Sequence, residues 1–368
     1  MAVSSFDKRM MAAAIRYSYR NLGRTGTNPS VTTLLVRDDG EVPVIVGRGI
    51  TAIGGRPHAE TEAILEAGDL ARGATAYVTL EPCAHHGSTP PCAEALVRDG
   101  IRRVVAATTD PDGRVSGQGY KILEDGGIEV EAGVLASDAE YAMAGYLTQR
   151  ELGRPHVTLK MALSNDGKIG SRGSGQVAIT GPESNAVSHV LRATSDVIIV
   201  GIGTVLEDDP SLTCRLPGME DRTPARLVLD RNLRLPLQSA LVRSAHDHPV
   251  IVATTRLPDD GKYQQLSEAG CLMMACEESD TGIALPELLD DLAGRGYSTV
   301  LVEGGAAVAR AFLDAHLVDR IRLYVGPGEI GKDGVEAPVD PDNMPSGFEL
   351  TGTEIYGADR RFEYERSR

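Results

Sequence analysis

The sequence predicts an α/β protein of two domains, on three observations. Short runs rich in Val, Ile and Leu alternate with stretches of helical spacing along the whole chain, the pattern of a mostly parallel sheet covered by helices. The alternation breaks once, at GRP (153–155), after a long helical stretch, and then restarts with a new strand. At 368 residues with 42% apolar composition, the chain is long for one domain and sufficient for two cores. The expected domains are residues 1–150 and 154–368.

The first 21 residues, MAVSSFDKRMMAAAIRYSYRN, predict an amphipathic helix and lack the apolar core and cleavage site of a secretory leader. SVTTLLV (30–36) and EVPVIVG (41–47) predict strands joined by the turn RDDG. HAETEAILEAG predicts a helix that follows Pro57 and closes at Gly68. TAYVTL, RRVVAATTD and IEVEAGV predict strands, with helices PCAEALVRDG and GQGYKILEDGG between them. A single last helix, SDAEYAMAGYLTQREL, ends the first half. The second half opens with the strand HVTLKMAL and the loop SNDGKIGSRGSG. Further strands are predicted at DVIIVG, ARLVLD, HPVIVATT, STVLVEGG and RIRLYVGP.

Composition excludes several classes. A net charge of −15 and only 4% aromatic residues, with no Trp, oppose binding to a nucleic-acid backbone or stacking on bases. A small phosphorylated substrate held by a few local cations is not opposed. No apolar run approaches the ~20 residues of a membrane span. Five cysteines without a regular framework suit a reducing compartment, so a cytoplasmic location is expected. Cys214, Cys271 and Cys276 read as space-filling thiols.

The chemistry concentrates in EPCAHHGSTPPC (81–92) and PHAE (57–60). His58, Cys83 and Cys92 are expected to bind zinc, which takes imidazole nitrogen and thiolate sulfur in a tetrahedron. Three protein ligands leave the fourth position to a water whose pKa falls to about 7. Glu60 diverges from His58 at ~100° per residue along a helix, which suits a proton shuttle beside the metal better than a fourth ligand. H-x-E followed by P-C and a second Cys is the order found in zinc deaminases, where the Glu is general acid and base. The competing reading is a purely structural zinc.

TLEPCAHHGSTPPC together with PHAE resembles the N-terminal domain of the bifunctional riboflavin-biosynthesis deaminase–reductase family, which carries PCxHxGxTPPC. Eight residues separate the cysteines here, where other deaminases commonly have two. TNPSV (27–31) is similar to the family's PNPxV, which implies that Asn28 touches substrate; His85 in the metal loop is expected to face it, and His86 to point outward. The family often has a basic residue where Ser88 stands and a histidine where Thr51 stands. Arg56 and Arg48 are candidates for the missing charge.

The second half has no G-x-G-x-x-G. GIGTVLEDDPSLTCRLPG (201–218), SNDGKI and VEGG resemble the reductase domain of the same family, in the same order. The resemblance implies a cytidine-deaminase-like domain followed by a dihydrofolate-reductase-like domain that uses NADPH. It places Ala162, Ala178, Thr204, Asp208, Gly304 and Gly305 against the cofactor, and Gln176, Arg192, Leu212, Arg215 and Glu303 against the substrate. Ala178 stands where the family commonly has Trp, and Gln176 where it commonly has Ser. Asp166 in SNDG reads as a turn cap, with a proton donor as the alternative. The function so implied is deamination of a phosphoribosylamino-pyrimidinone, then reduction of its ribosyl group, by a homo-oligomer with no nucleic-acid or membrane partner. The rival readings are a nucleic-acid or nucleoside deaminase and a zinc scaffold without catalysis.

Overall fold

The structure, a computed structural model, describes residues 3–86, 90–113, 115–171, 177–279 and 282–367. The chain divides into two units, Met1–Gly153 and Arg154–Arg368. Among the described residues, no helix is long and apolar enough to cross a membrane.

The first unit opens with α1 (Ser5–Ser18), started by a capping box in which Ser4 and Asp7 satisfy each other's backbone amides. Strands β1 (Thr32–Arg37) and β2 (Val44–Ile50) form an antiparallel pair. β2 begins three residues later than the apolar run suggests; Pro43, which has no N–H, precedes it. Then follow α2 (Ala59–Ala67), β3 (Thr75–Leu80), α3 (Cys92–Arg98), β4 (Arg103–Thr108), α4 (Gln118–Asp125) and β5 (Glu129–Glu131). The single helix expected next is two, α5 (Ala136–Ala142) and α6 (Ala144–Leu152), broken where Met143 leaves helical geometry at φ −107°. The sheet order is β2-β1-β3-β4-β5, parallel from β3 to β5. Gly47 and Gly49 lie against the backbone of α2, where any Cβ would overlap the carbonyls of Ala63 and Ala59. That close approach sets the start of α2, and with it His58 and Glu60, against the sheet.

The second unit contains β6 (His156–Leu163), β7 (Lys168–Ser171), α7 (Pro182–Ala193), β8 (Val197–Gly201) and α8 (Ile202–Asp208). Next come β9 (Ala225–Leu229), α9 (Ala240–Arg243), β10 (Val250–Thr254), α10 (Gly261–Glu268), β11 (Leu272–Ala275), β12 (Glu278–Ser279) and β13 (Gly282–Ile283). It ends with α11 (Leu285–Gly294), β14 (Thr299–Val302), α12 (Ala306–Asp314), β15 (Arg320–Val325), β16 (Gly334–Glu336), β17 (Phe348–Tyr356) and β18 (Asp359–Arg366). Nine strands form one sheet in the order β11-β10-β9-β8-β14-β6-β15-β18-β17. It is parallel from β11 to β15, and the last two strands are antiparallel. The adjacent C-terminal ends of β8 and β14 form the kind of sheet edge where α/β proteins bind ligands.

β17 and β18 escape the sequence reading for a physical reason. Charged side chains dominate them: Glu363 and Glu365 of β18 pair with Arg322 and Arg320 of β15, and Arg361 of β18 pairs with Glu354 of β17. A strand such as DRRFEYER therefore offers only Phe362 and Tyr364 as apolar signal among charged residues. Cys214 and Cys271 are buried as expected, whereas Cys276 is only half-buried.

Candidate active sites

His58 is the N-cap of α2, Cys83 follows β3, and Cys92 is the first residue of α3. Their ligand atoms all lie within 4.8 Å of one another. His58 Nδ1 is 3.7 Å from Cys83 Sγ and 3.5 Å from Cys92 Sγ. A tetrahedral zinc with Zn–N about 2.1 Å and Zn–S about 2.3 Å has N···S edges of about 3.6 Å, so the three residues fit the ion. The Cys92 amide donates to Cys83 Sγ at 3.3 Å. The Cys92 hydrogen bond draws the Cys83 thiol down to about 4 against the effect of burial, aided by His58; the same bond and burial push the Cys92 thiol up. Glu60, in the first turn of α2, is 4% exposed. Burial, with the Cys83 charge next, raises its pKa to about 7. A carboxyl at that value can both take and give a proton at neutral pH.

His58, Glu60 and Cys83 open onto a cavity of about 270 Å³. Asn28, Thr51, Arg56 and His85 line it beside the metal ligands, and Glu81, Asp110, Asp112, Tyr146 and Arg150 complete it. His85 Nδ1 is buried with no hydrogen-bond partner among the described residues, as expected of a group that awaits a ligand. Gly55, at φ +89°, lies so close to Asn28 that a Cβ would overlap its side-chain amide.

In the second unit, Glu303 follows β14 and receives the Arg192 fork, Nε at 3.0 Å and Nη2 at 2.7 Å. Arg192 Nη1 also donates to the Thr213 carbonyl at 3.2 Å. Burial raises the Glu303 pKa, and Arg192 with Lys160 more than reverses it. Gly305 caps α12 and donates its N–H to Thr204 Oγ1 of α8 at 3.3 Å. A Cβ on Gly304 would meet Val308 at 2.7 Å. Thr204, Gly304 and Gly305 thus form a tight turn at a helix start, which fits a cofactor's pyrophosphate. Asp209 and Leu212 adopt left-handed backbone, φ 40° and 55°, a strain that tends to be kept at binding sites.

Two family models match the chain. The cytidine and deoxycytidylate deaminase zinc-binding region matches residues 4–108, and the RibD C-terminal domain matches residues 155–361. The riboflavin biosynthesis protein RibD of Aquifex aeolicus is 37% identical over 330 residues, 90% of this chain and 89% of its own length. The chain belongs to the RibD family. Among solved structures, Acinetobacter baumannii RibD (form 1) is similar with a TM-score of 0.84 and 35% identity, over 98% of this chain and 99% of that one. A Thermotoga maritima protein described as diaminohydroxyphosphoribosylaminopyrimidine deaminase/5-amino-6-(5-phosphoribosylamino)uracil reductase gives a TM-score of 0.84 at 33% identity, covering 98% of each chain. This RibD-family protein is therefore a bifunctional deaminase and reductase of riboflavin biosynthesis. Zinc serves its first unit and NADPH its second.

Of the residues singled out in the sequence, the structure gathers Asn28, His58, Glu60, Cys83 and His85 around one cavity with Cys92 beside them, and joins Arg192 to Glu303 and Thr204 to Gly305. Gln176 and Ser88 lie outside the described residues. Ala178 is exposed. Arg48 pairs with Glu66 away from the cavity, whereas Arg56 lines it. Leu212 is buried in an apolar cluster with Ile198 and Val228. Ala162 lies near the end of β6, Asp208 ends α8, and Arg215 is exposed with Nη1 3.5 Å from Ser211 Oγ. His86 points outward and pairs with Glu94. Asp166 clasps Ser164, Ile330 and Gly331, the Ser164 bond first holding it at about 2.

Lys160 is the chief omission of the sequence reading. Its ammonium lies 5.5 Å from the centroid of the Tyr324 ring. Burial lowers its pKa while Glu303 opposes the shift. A lysine inside HVTLKMAL, on the same strand face as Ala162, is the signal that could have found it.

Proposed function

We propose that the first unit hydrolyses the amine from 2,5-diamino-6-(5-phosphoribosylamino)pyrimidin-4(3H)-one, and that the second reduces the product's ribosyl group to ribityl. The observation that carries the reading is a buried Glu60 beside the His58–Cys83–Cys92 cluster in a chain whose other half matches the RibD C-terminal domain. When bound, zinc supplies Lewis acidity, which draws the pKa of water toward 7. Glu60 takes one proton from the attacking water and passes it to the ring nitrogen, then takes the second from the hydroxyl left on the ring carbon and passes it to the amine, which departs as ammonia. Asn28 and His85 orient the ring.

When bound, NADPH would supply the hydride for reduction at C1′ of the ring-opened sugar. Thr204, Asp208, Gly304, Gly305, Ala162 and Ala178 seat the cofactor. Glu303, Arg192, Leu212, Gln176 and Arg215 hold the substrate. The Arg192 fork is engaged by Glu303, so the exposed Arg215 is the guanidinium placed for the substrate's phosphate. Lys160 beside Glu303 gives this site a proton donor. Five free cysteines support a cytoplasmic location. The edge strand β17, with Leu350 and Ile355 exposed, supports a homo-oligomer.

The test supplies the zinc-loaded protein with the pyrimidinone phosphate and follows ammonia release and NADPH oxidation separately. Glu60→Gln should lose ammonia release by on the order of 10²-fold or more and keep its zinc. It should still oxidise NADPH when given the deaminated compound. Ammonia at the normal rate from Glu60→Gln would overturn the proton-shuttle assignment and favour a zinc scaffold.

A further inference from the structure

The acids of the deaminase cavity are mostly spoken for. Glu60 serves the chemistry. Glu81 accepts the backbone N–H groups of Asp110, Gly117 and Gly119 at 3.3, 3.1 and 2.9 Å. Asp110 accepts the Tyr146 hydroxyl at 2.9 and 3.0 Å and the Asp112 amide at 2.9 Å. Among the described residues, the guanidinium groups that line the cavity are Arg56 and Arg150. Arg150, on α6, stacks over the Tyr146 ring at 5.2 Å, which orients its fork. Its ion-pair partner Asp112 stands 3.9 Å away, beyond hydrogen-bond reach. A guanidinium held by stacking, with its nearest acid out of hydrogen-bonding range, keeps donors for an incoming oxyanion. In a chain of net charge −15, attraction for a phosphate has to come from such local cations.

We propose that Arg150, together with Arg56, receives the phosphate end of the deaminase substrate and makes the first unit selective for the phosphorylated pyrimidine. The proposal rests on the substrate reading above. Arg150 is the principal contact, because its orientation is fixed by Tyr146, which Asp110 in turn anchors. Arg56 faces the cavity from the loop that leads into His58.

The experiment measures ammonia release by the full-length, zinc-loaded protein from two compounds: the phosphoribosyl pyrimidine and its dephosphorylated ribosyl counterpart. It compares wild type with Arg150→Gln, Arg56→Gln and Arg150→Lys. Zinc content and NADPH oxidation report folding of each unit. Wild type should prefer the phosphorylated compound by on the order of tenfold or more in kcat/KM, mostly through KM. Both Gln variants should lose most of that preference while they handle the ribosyl compound as wild type does. Arg150→Lys should restore part of it, since a charge remains without the fork. Gln variants that keep the full preference would overturn the proposal and leave the substrate reading intact. A wild-type protein that deaminates neither compound would overturn the substrate reading, and this proposal with it.

Discussion

Lys160 and His156 share one strand and opposite fates. Lys160 interacts electrostatically with Glu303 and Arg192, so Lys160→Met should lower reductase kcat/KM by on the order of 10²-fold. Ammonia release should be unchanged, and the two assays run on one preparation check both claims. His156, 6% exposed, is held neutral: burial first, then Arg320, lower its pKa to about 3. The unfolded imidazole titrates near 6.5. Below that pH the unfolded chain binds a proton that the native chain refuses, so the stabilisation is whole above pH 6.5 and declines as pH falls toward the folded value. Between pH 6.5 and 5 the second unit should lose about 2 kcal/mol through this residue. His156→Gln should remove that slope from the pH dependence of its urea midpoint. The metal ligands and Glu60 are legible in the sequence because residue type itself carries their chemistry. Tyr146 and Arg150 are common residues that join the cavity from a distant helix, and no local pattern marks them.

Among the elements, α1 is fastened to the sheet by one carboxylate. Asp7 accepts Tyr77 Oη and Arg103 Nη1, both at 2.8 Å, and is 2% exposed. Burial alone would raise its pKa, but Arg103, the Ser4 amide and Tyr77 outweigh it and hold the carboxyl well below the ordinary range. Its contribution is complete above about pH 4 and is lost as acid protonates the folded state. Asp7→Ala leaves the Arg103 charge buried and should cost about 3 kcal/mol, read as a lower urea midpoint of the first unit at pH 7. The loop after α8 has a similar anchor. Arg226, wholly buried, donates to the carbonyls of Ser211, Ser244 and His248 and to Ser244 Oγ. It holds the chain next to the left-handed Leu212. Arg226→Met should raise the reductase KM for its pyrimidine by on the order of tenfold and leave ammonia release intact. Strand β6 is legible residue for residue, because apolar side chains alternate along it. The anchors Arg226 and Arg103 are not, since a charged residue at the start of a strand reads as surface until its partners are known.

At the scale of the molecule, each unit has its own apolar core. One is built from residues such as Met11, Leu35 and Leu96, the others from Leu159, Phe312 and Leu323 and from Ile198, Leu235 and Leu266. Chains 1–153 and 154–368, expressed separately, should therefore fold alone. The first should release ammonia when loaded with zinc, and the second should oxidise NADPH with the deaminated compound. Circular dichroism melts and the two assays decide. The break at GRP is legible because a strand pattern restarts there; the break inside the preceding helix is not, since Met143 is as good a helix former as its neighbours. The thiols that sit within 4.8 Å of His58 and of each other also carry a liability. Stripped of metal by a chelator and left in air, Cys83 and Cys92 are positioned to cross-link, with dissolved oxygen as the electron acceptor. Of the five cysteines, this pair should vanish first from a thiol titration. The stored apoenzyme should then regain deaminase activity only after a reductant precedes the zinc.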